Sequence, residues 1–89
     1  MPVISLFQGL IVYMFYLDDR QHKLPHIHVH YGETSAIYSI PDGIKLEGKL
    51  PGNKEKLVLA WIEMRKDDLL ANWQLAVTGQ NIQKISPLQ

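Results

Sequence analysis

Three histidines alternate along His26-Ile27-His28-Val29-His30, and a fourth, His22, lies four residues upstream. In an extended chain, alternate side chains project to one side at spacings of roughly 6.5–7 Å, so His26 and His28 can reach a single ion. His22, or Asp19 in the same polar stretch, could fold over as a third ligand, with His30 as a further donor. Imidazole with an optional carboxylate suits zinc, nickel or iron, and with no cysteine in the chain a thiolate cannot join the set. Such a centre would make the protein a metal-dependent hydrolase or nuclease. Glu47 or Ser39 would hold the unligated ring nitrogens. The competing reading is a solvated sheet face, its imidazoles bonded to Ser35, Ser39 or Glu47. Residue types and spacing leave both open.

The elements around the histidines follow from turn chemistry and parity. Pro25 biases Leu24 to an extended conformation, so a strand resumes at His26. Gly32-Glu33 reads as a two-residue turn and Ser35 to Ile40 as the returning strand. His30 then faces Ser35, His28 faces Ile37 and His26 faces Ser39, while Ile27, Val29 and Tyr31 share the other face with Tyr38, Ala36 and Thr34. A three-residue loop at Pro41-Asp42-Gly43, with Gly43 left-handed, aligns Ile40 with Ile44 and Tyr38 with Leu46. One face across three strands is then apolar. The other carries His26, His28, His30, Lys45, Glu47 and Lys49, and is expected to lie away from any covering helix.

Upstream, Val3 to Phe7 predicts a short strand closed by Gln8-Gly9, followed by a strand over Leu10 to Tyr16. The apolar run Leu10 to Leu17 is far short of the ~20 residues of a bilayer span and reads as a strand buried on both faces. Downstream, Pro51-Gly52-Asn53 stops the sheet, with Asn53 as N-cap. Val58, Ile62, Leu69, Trp73 and Ala76 form a helical stripe, widened by Leu57 and Trp61, and Gly79 ends it. The polar break from Arg65 to Asp68 leaves one bent helix or two. Residues 82–88 read as a short strand or a packed extended segment. The expectation is one α+β domain over residues 1–89: an antiparallel meander of about four to five strands, covered on one face by a C-terminal helix or helix pair.

Nine Lys+Arg balance nine Asp+Glu in 89 residues. That balance argues against a protein built to coat nucleic acid or anionic membrane. Lys45, Lys49, Lys54 and Lys56 still make a local cluster, which keeps a nucleic-acid-binding module as an alternative. No signal-peptide pattern opens the chain, so a cytoplasmic protein is expected. Neither a Ser-His-Asp set nor a cysteine nucleophile offers covalent chemistry.

The segment His22-Lys23-Leu24-Pro25-His26-Ile27-His28-Val29-His30-Tyr31-Gly32-Glu33 resembles the signature of a small bacterial family, the domain of unknown function 4160. The similarity continues through Leu46-Glu47-Gly48-Lys49-Leu50-Pro51, Trp61, and Leu69-Leu70-Ala71-Asn72-Trp73 to Lys84-Ile85-Ser86-Pro87-Leu88. His22, His26 and His28 match the family pattern, whereas His30 is extra. The resemblance implies no particular reaction. Members similar to this chain are often encoded beside another small protein, which implies a regulatory or toxin–antitoxin-like pair and a protein partner. The alternating string also resembles that of the histidine-triad nucleotide hydrolases, in which the last histidine attacks a phosphate. Here only twenty-five residues precede the string and no glycine-rich phosphate loop accompanies it. The reading preferred on sequence is a small binding or regulatory module.

Overall fold

A computed structural model describes residues 3–15 and 24–88 of the protein. Five strands, β1 (Val3–Phe7), β2 (Leu10–Tyr13), β3 (His26–Tyr31), β4 (Thr34–Ser39) and β5 (Lys45–Gly48), are followed by one helix, α1 (Gly52–Val77). The strands form a single antiparallel sheet in chain order, so the expected meander holds. No helix among the described residues is long and apolar enough to cross a membrane.

The β3–β4 hairpin has the register set by a two-residue turn: His26 pairs with Ser39, Ile27 with Tyr38, His28 with Ile37, Val29 with Ala36 and His30 with Ser35. Gln8 and Gly9 both have positive φ, which lets the β1–β2 hairpin close in two residues. Leu10, Val12 and Met14 are buried, while Ile11, Tyr13 and Phe15 are only half-buried. β2 is therefore shorter than expected, ending at Tyr13, and it is enclosed on one face rather than two.

The β4–β5 connection departs from expectation. Gly43 is left-handed as required, at φ 71°. The loop, however, has four residues, because Ser39 and Ile44 pair across it: Ser39 donates its N–H to the Ile44 carbonyl at 2.8 Å, and its Oγ accepts the Ile44 N–H at 3.0 Å. Ile40 leaves the ladder to bury its side chain and to donate its N–H to the Pro25 carbonyl at 2.9 Å. Ile44 is consequently 60% exposed instead of lying on the apolar face beside Ile40. Tyr38 pairs with Lys45, not Leu46, and an irregularity between Ile37 and Tyr38 returns Glu47 to Ile37. Lys45 thereby moves to the helix side, where its ammonium is 3.6 Å from the Glu55 carboxylate.

The helix covers the face carrying Val12, Ile27, Val29, Ala36 and Tyr38, against which Val58, Trp61, Ile62, Leu69, Trp73 and Ala76 are buried. Its start is tied to β4 by the Tyr38 hydroxyl, which donates to Glu55 at 2.7 Å. Asn53 is not the cap. The helix begins at Gly52, and the Pro51 carbonyl accepts the N–H groups of Lys54 and Glu55, both at 2.9 Å. At the other end the Gln80 and Gly79 N–H groups return to the carbonyls of Leu75 and Ala76, the bonding that a left-handed glycine permits.

One helix runs throughout, bent at Arg65, whose backbone is non-helical at φ −115° and ψ 18°. The bend lies where the extended tail docks. Trp61 donates its indole N–H to the Ser86 carbonyl at 2.8 Å, and Arg65 reaches the same oxygen at 3.2 Å. The buried Asn72 side chain exchanges two hydrogen bonds with the Gln83 backbone, and Ile85 donates to the Ile4 carbonyl at 2.8 Å. The tail is thus a packed extended segment, without becoming a strand.

Candidate functional site

The histidine string occupies β3, with the aromatic side of β2 on one flank and β4 on the other. Tyr13 pairs with His28, and Ile11 with His30. Alternation then places Ile11, Tyr13 and Phe15 on the histidine face, opposite the buried Leu10, Val12 and Met14. The rings interlock. Phe15 meets His28 edge-on with centroids 4.6 Å apart, and Tyr13 meets His30 edge-on at 4.8 Å. Tyr13 and Phe15 stack at 6.0 Å. Ile37 and Glu47 continue the face across β4 and β5. All four residues are half-buried, so each keeps part of its surface on this face.

His26 behaves differently from its neighbours and corrects the expectation that the whole histidine face lies away from the helix. It is 1% exposed, and its ring packs 4.9 Å from that of Trp73 and 5.3 Å from that of His28. Its Nδ1 is 2.7 Å from the Leu24 carbonyl oxygen. A carbonyl only accepts, so the proton is on Nδ1 and, in the neutral ring, the lone pair is on Nε2. A ligating histidine has the same arrangement, with its second nitrogen held by a backbone oxygen. A buried structural histidine has it too.

His22 and Asp19, the proposed third ligands, lie outside the described residues. Among the described residues no three His, Asp or Glu side chains gather as an ion would need. The Ser39 oxygen, one of the expected partners for an imidazole, is engaged by Ile44 at the β4–β5 turn. The string also splits by environment, with His26 against Trp73 and His30 against Tyr13.

The lysine cluster is partly committed within the fold. Lys45 is beside Glu55, and Lys54 donates to the Gln8 carbonyl at 3.0 Å with its ammonium 5.1 Å from the Tyr31 ring centre. Tyr38 and Glu55, beneath Lys45, are invisible as a pair in sequence. Burial raises the Tyr38 phenol far above its ordinary range, and the hydrogen bond and negative charge of Glu55 push the same way.

Tyr13 and Phe15 are the members of the site that sequence reading missed. The apolar run from Leu10 to Leu17 reads as a strand buried on both faces, which hides them. The signal was present as alternation, but the length of the β2–β3 connection conceals which residues of β2 stand opposite the histidines.

A family model described as Domain of unknown function (DUF4160) matches residues 9–74, from the β1–β2 turn to the last turns of α1. The match stops short of the tail motif at Lys84 to Leu88. No curated protein and no solved structure matches the chain.

Proposed function

Because the chain belongs to the family of the domain of unknown function 4160, whose description carries no reaction, we propose its role from geometry: a binding module that docks a protein partner on the sheet face opposite the helix. The observation that carries this reading is the set of interlocked rings, Tyr13, Phe15, His28 and His30, on the face opposite the helix. Aromatic area with polar tips is what the centres of protein interfaces are enriched in. With its partner the protein acts as one component of a regulatory pair of toxin–antitoxin type. Co-expression with a small protein encoded next to it, the arrangement that the family resemblance implies, tests this directly. A stable complex by size-exclusion chromatography is expected, weakened at least about tenfold by combined Tyr13→Ala and His30→Ala, the scale of an interface hot spot. No complex, or one indifferent to those substitutions, refutes the reading.

A second reading rests on a separate observation, the Nδ1 hydrogen bond of His26 with the His28 ring at 5.3 Å. Those two rings would hold a divalent ion such as zinc, with nickel and iron as alternatives, and a hydrolase or nuclease would follow. Calorimetric titration of metal-stripped protein with zinc decides it. An affinity no tighter than about 0.1 mM, or one unchanged by His28→Gln, refutes a metal centre.

A further inference from the structure

The helix and β1 hold the extended tail by its backbone. Asn72, 2% exposed, accepts the Gln83 N–H at 2.8 Å and donates to the Gln83 carbonyl at 2.7 Å. Trp61 and Arg65 donate to the Ser86 carbonyl at 2.8 and 3.2 Å, and Ile85 donates its N–H to Ile4 of β1 at 2.8 Å. Each of these bonds ends on a tail N–H or carbonyl, so together they hold an extended main chain whatever side chains it carries. Ile85 is buried, whereas Gln83, Lys84, Ser86 and Pro87 are exposed. Packing beside the segment is open. A groove of about 340 Å³ runs between Val3 to Leu6 and Lys84 to Pro87, and a hollow of about 250 Å³ lies toward the helix, between Asp68 to Leu75 and Gln83 to Ser86. Main-chain bonds for affinity and one side-chain pocket for register are how extended peptides are recognised.

We propose that α1 and β1 form a seat for an extended peptide, filled in one chain by its own tail and exchangeable for the tail of a second copy. A second copy is the occupant because it carries the same segment. Its tail remakes every bond above and buries the same isoleucine, so the two forms differ only in the connection. That connection, Thr78 to Asn81, has exposed side chains, and re-extending it uncovers none from the core. The tail in cis competes at an effective concentration on the order of millimolar, which keeps the wild-type chain chiefly monomeric at micromolar concentration.

Complementation between two full-length variants tests the exchange. Asn72→Ala has a damaged seat and an intact tail. Ile85→Asp has an intact seat and a tail whose buried position carries a charge. Mixed at about 0.3 mM, below the effective concentration in cis, the two should form a dimer by sedimentation equilibrium, with the intact tail in the intact seat. Its affinity should exceed the self-association of either variant about tenfold or more, the worth of the two Asn72 bonds. Gln83→Pro is a second tail variant. It removes the N–H bonded to Asn72 at an exposed position and should behave as Ile85→Asp does. A chain carrying both Asn72→Ala and Ile85→Asp, mixed with Ile85→Asp, offers no intact tail and should stay monomeric. No association of the complementary pair up to about 1 mM with either tail variant overturns the proposal. So does equal association in the mixture that lacks an intact tail.

Discussion

Replacing Gly48 by alanine probes the junction where β5 meets β4. Gly48 has φ +73° and pairs with Ala36. An alanine Cβ at this position would run into the Ser35 carbonyl oxygen and lie 3.0 Å from the Ala36 Cα, both backbone atoms. The strand cannot back away freely, because Lys49 donates its N–H to that same carbonyl at 3.0 Å. A left-handed conformation costs a residue with a Cβ roughly 1–2 kcal/mol. Overpacking against backbone adds about 1–3 kcal/mol, for a total of about 2–5 kcal/mol. A domain of 89 residues is stable by only about 4–13 kcal/mol, so the variant should be crippled. Gly32 separates the two contributions: its φ is +58°, but a Cβ there meets nothing within 4 Å. Gly32→Ala should therefore cost only the conformational part, about 1–2 kcal/mol. Urea denaturation of both variants, followed by tryptophan fluorescence, gives the comparison. Losses equal to within about 0.5 kcal/mol would show that the close approach to Ser35 is not felt, and the reasoning would be wrong.

Three further outcomes are expected. His26→Ala should cost about 2–4 kcal/mol through loss of the Leu24 bond and the Trp73 contact, whereas His28→Ala and His30→Ala, at half-buried positions, should each cost under about 1 kcal/mol; thermal or chemical denaturation giving equal losses would remove the distinction. Asn72→Ala should cost about 2–3 kcal/mol and expose the tail to limited proteolysis, because both Gln83 backbone bonds vanish; an unchanged cleavage rate would contradict this. Tyr38 is held neutral in the fold by burial and by Glu55, while an unfolded tyrosine ionises near pH 10. Its contribution is therefore complete below pH 10 and declines as pH rises above it, by up to about 1.4 kcal/mol per unit. Tyr38→Phe should flatten the alkaline slope of stability, and identical slopes in the two proteins would refute the assignment.

The hairpin register was readable because every determinant is local: a turn at Gly32-Glu33 and strict alternation on both sides fix it, and a slip of one residue would expose Ile27 and Val29. The β4–β5 register was not readable, since it depends on Ser39 pairing with Ile44 and on Ile40 finding a place under Pro25, a contact between residues fifteen apart in sequence. The helix stripe was legible for the same reason as the hairpin, but its first residue was not: Pro51 offers a carbonyl where Asn53 suggested a side-chain cap. Parity correctly put His26, His28 and His30 on one side. It could not show that the strand's first residue lies within reach of Trp73 on the helix.

The family match also divides the molecule in a way that bears on the two sites. Residues 9–74 contain β2, β3, β4, β5 and nearly all of α1, so the rings of the histidine face and the helix behind the sheet belong to the shared unit. The groove between β1 and the tail does not, because Val3 to Ser5 and Lys84 to Pro87 fall outside the match. The contacts that assemble the cleft nevertheless originate inside it: Trp61, Arg65 and Asn72 hold the tail from the helix. Partner docking is thus a property to seek in any member carrying Tyr13, Phe15 and His28 at equivalent places.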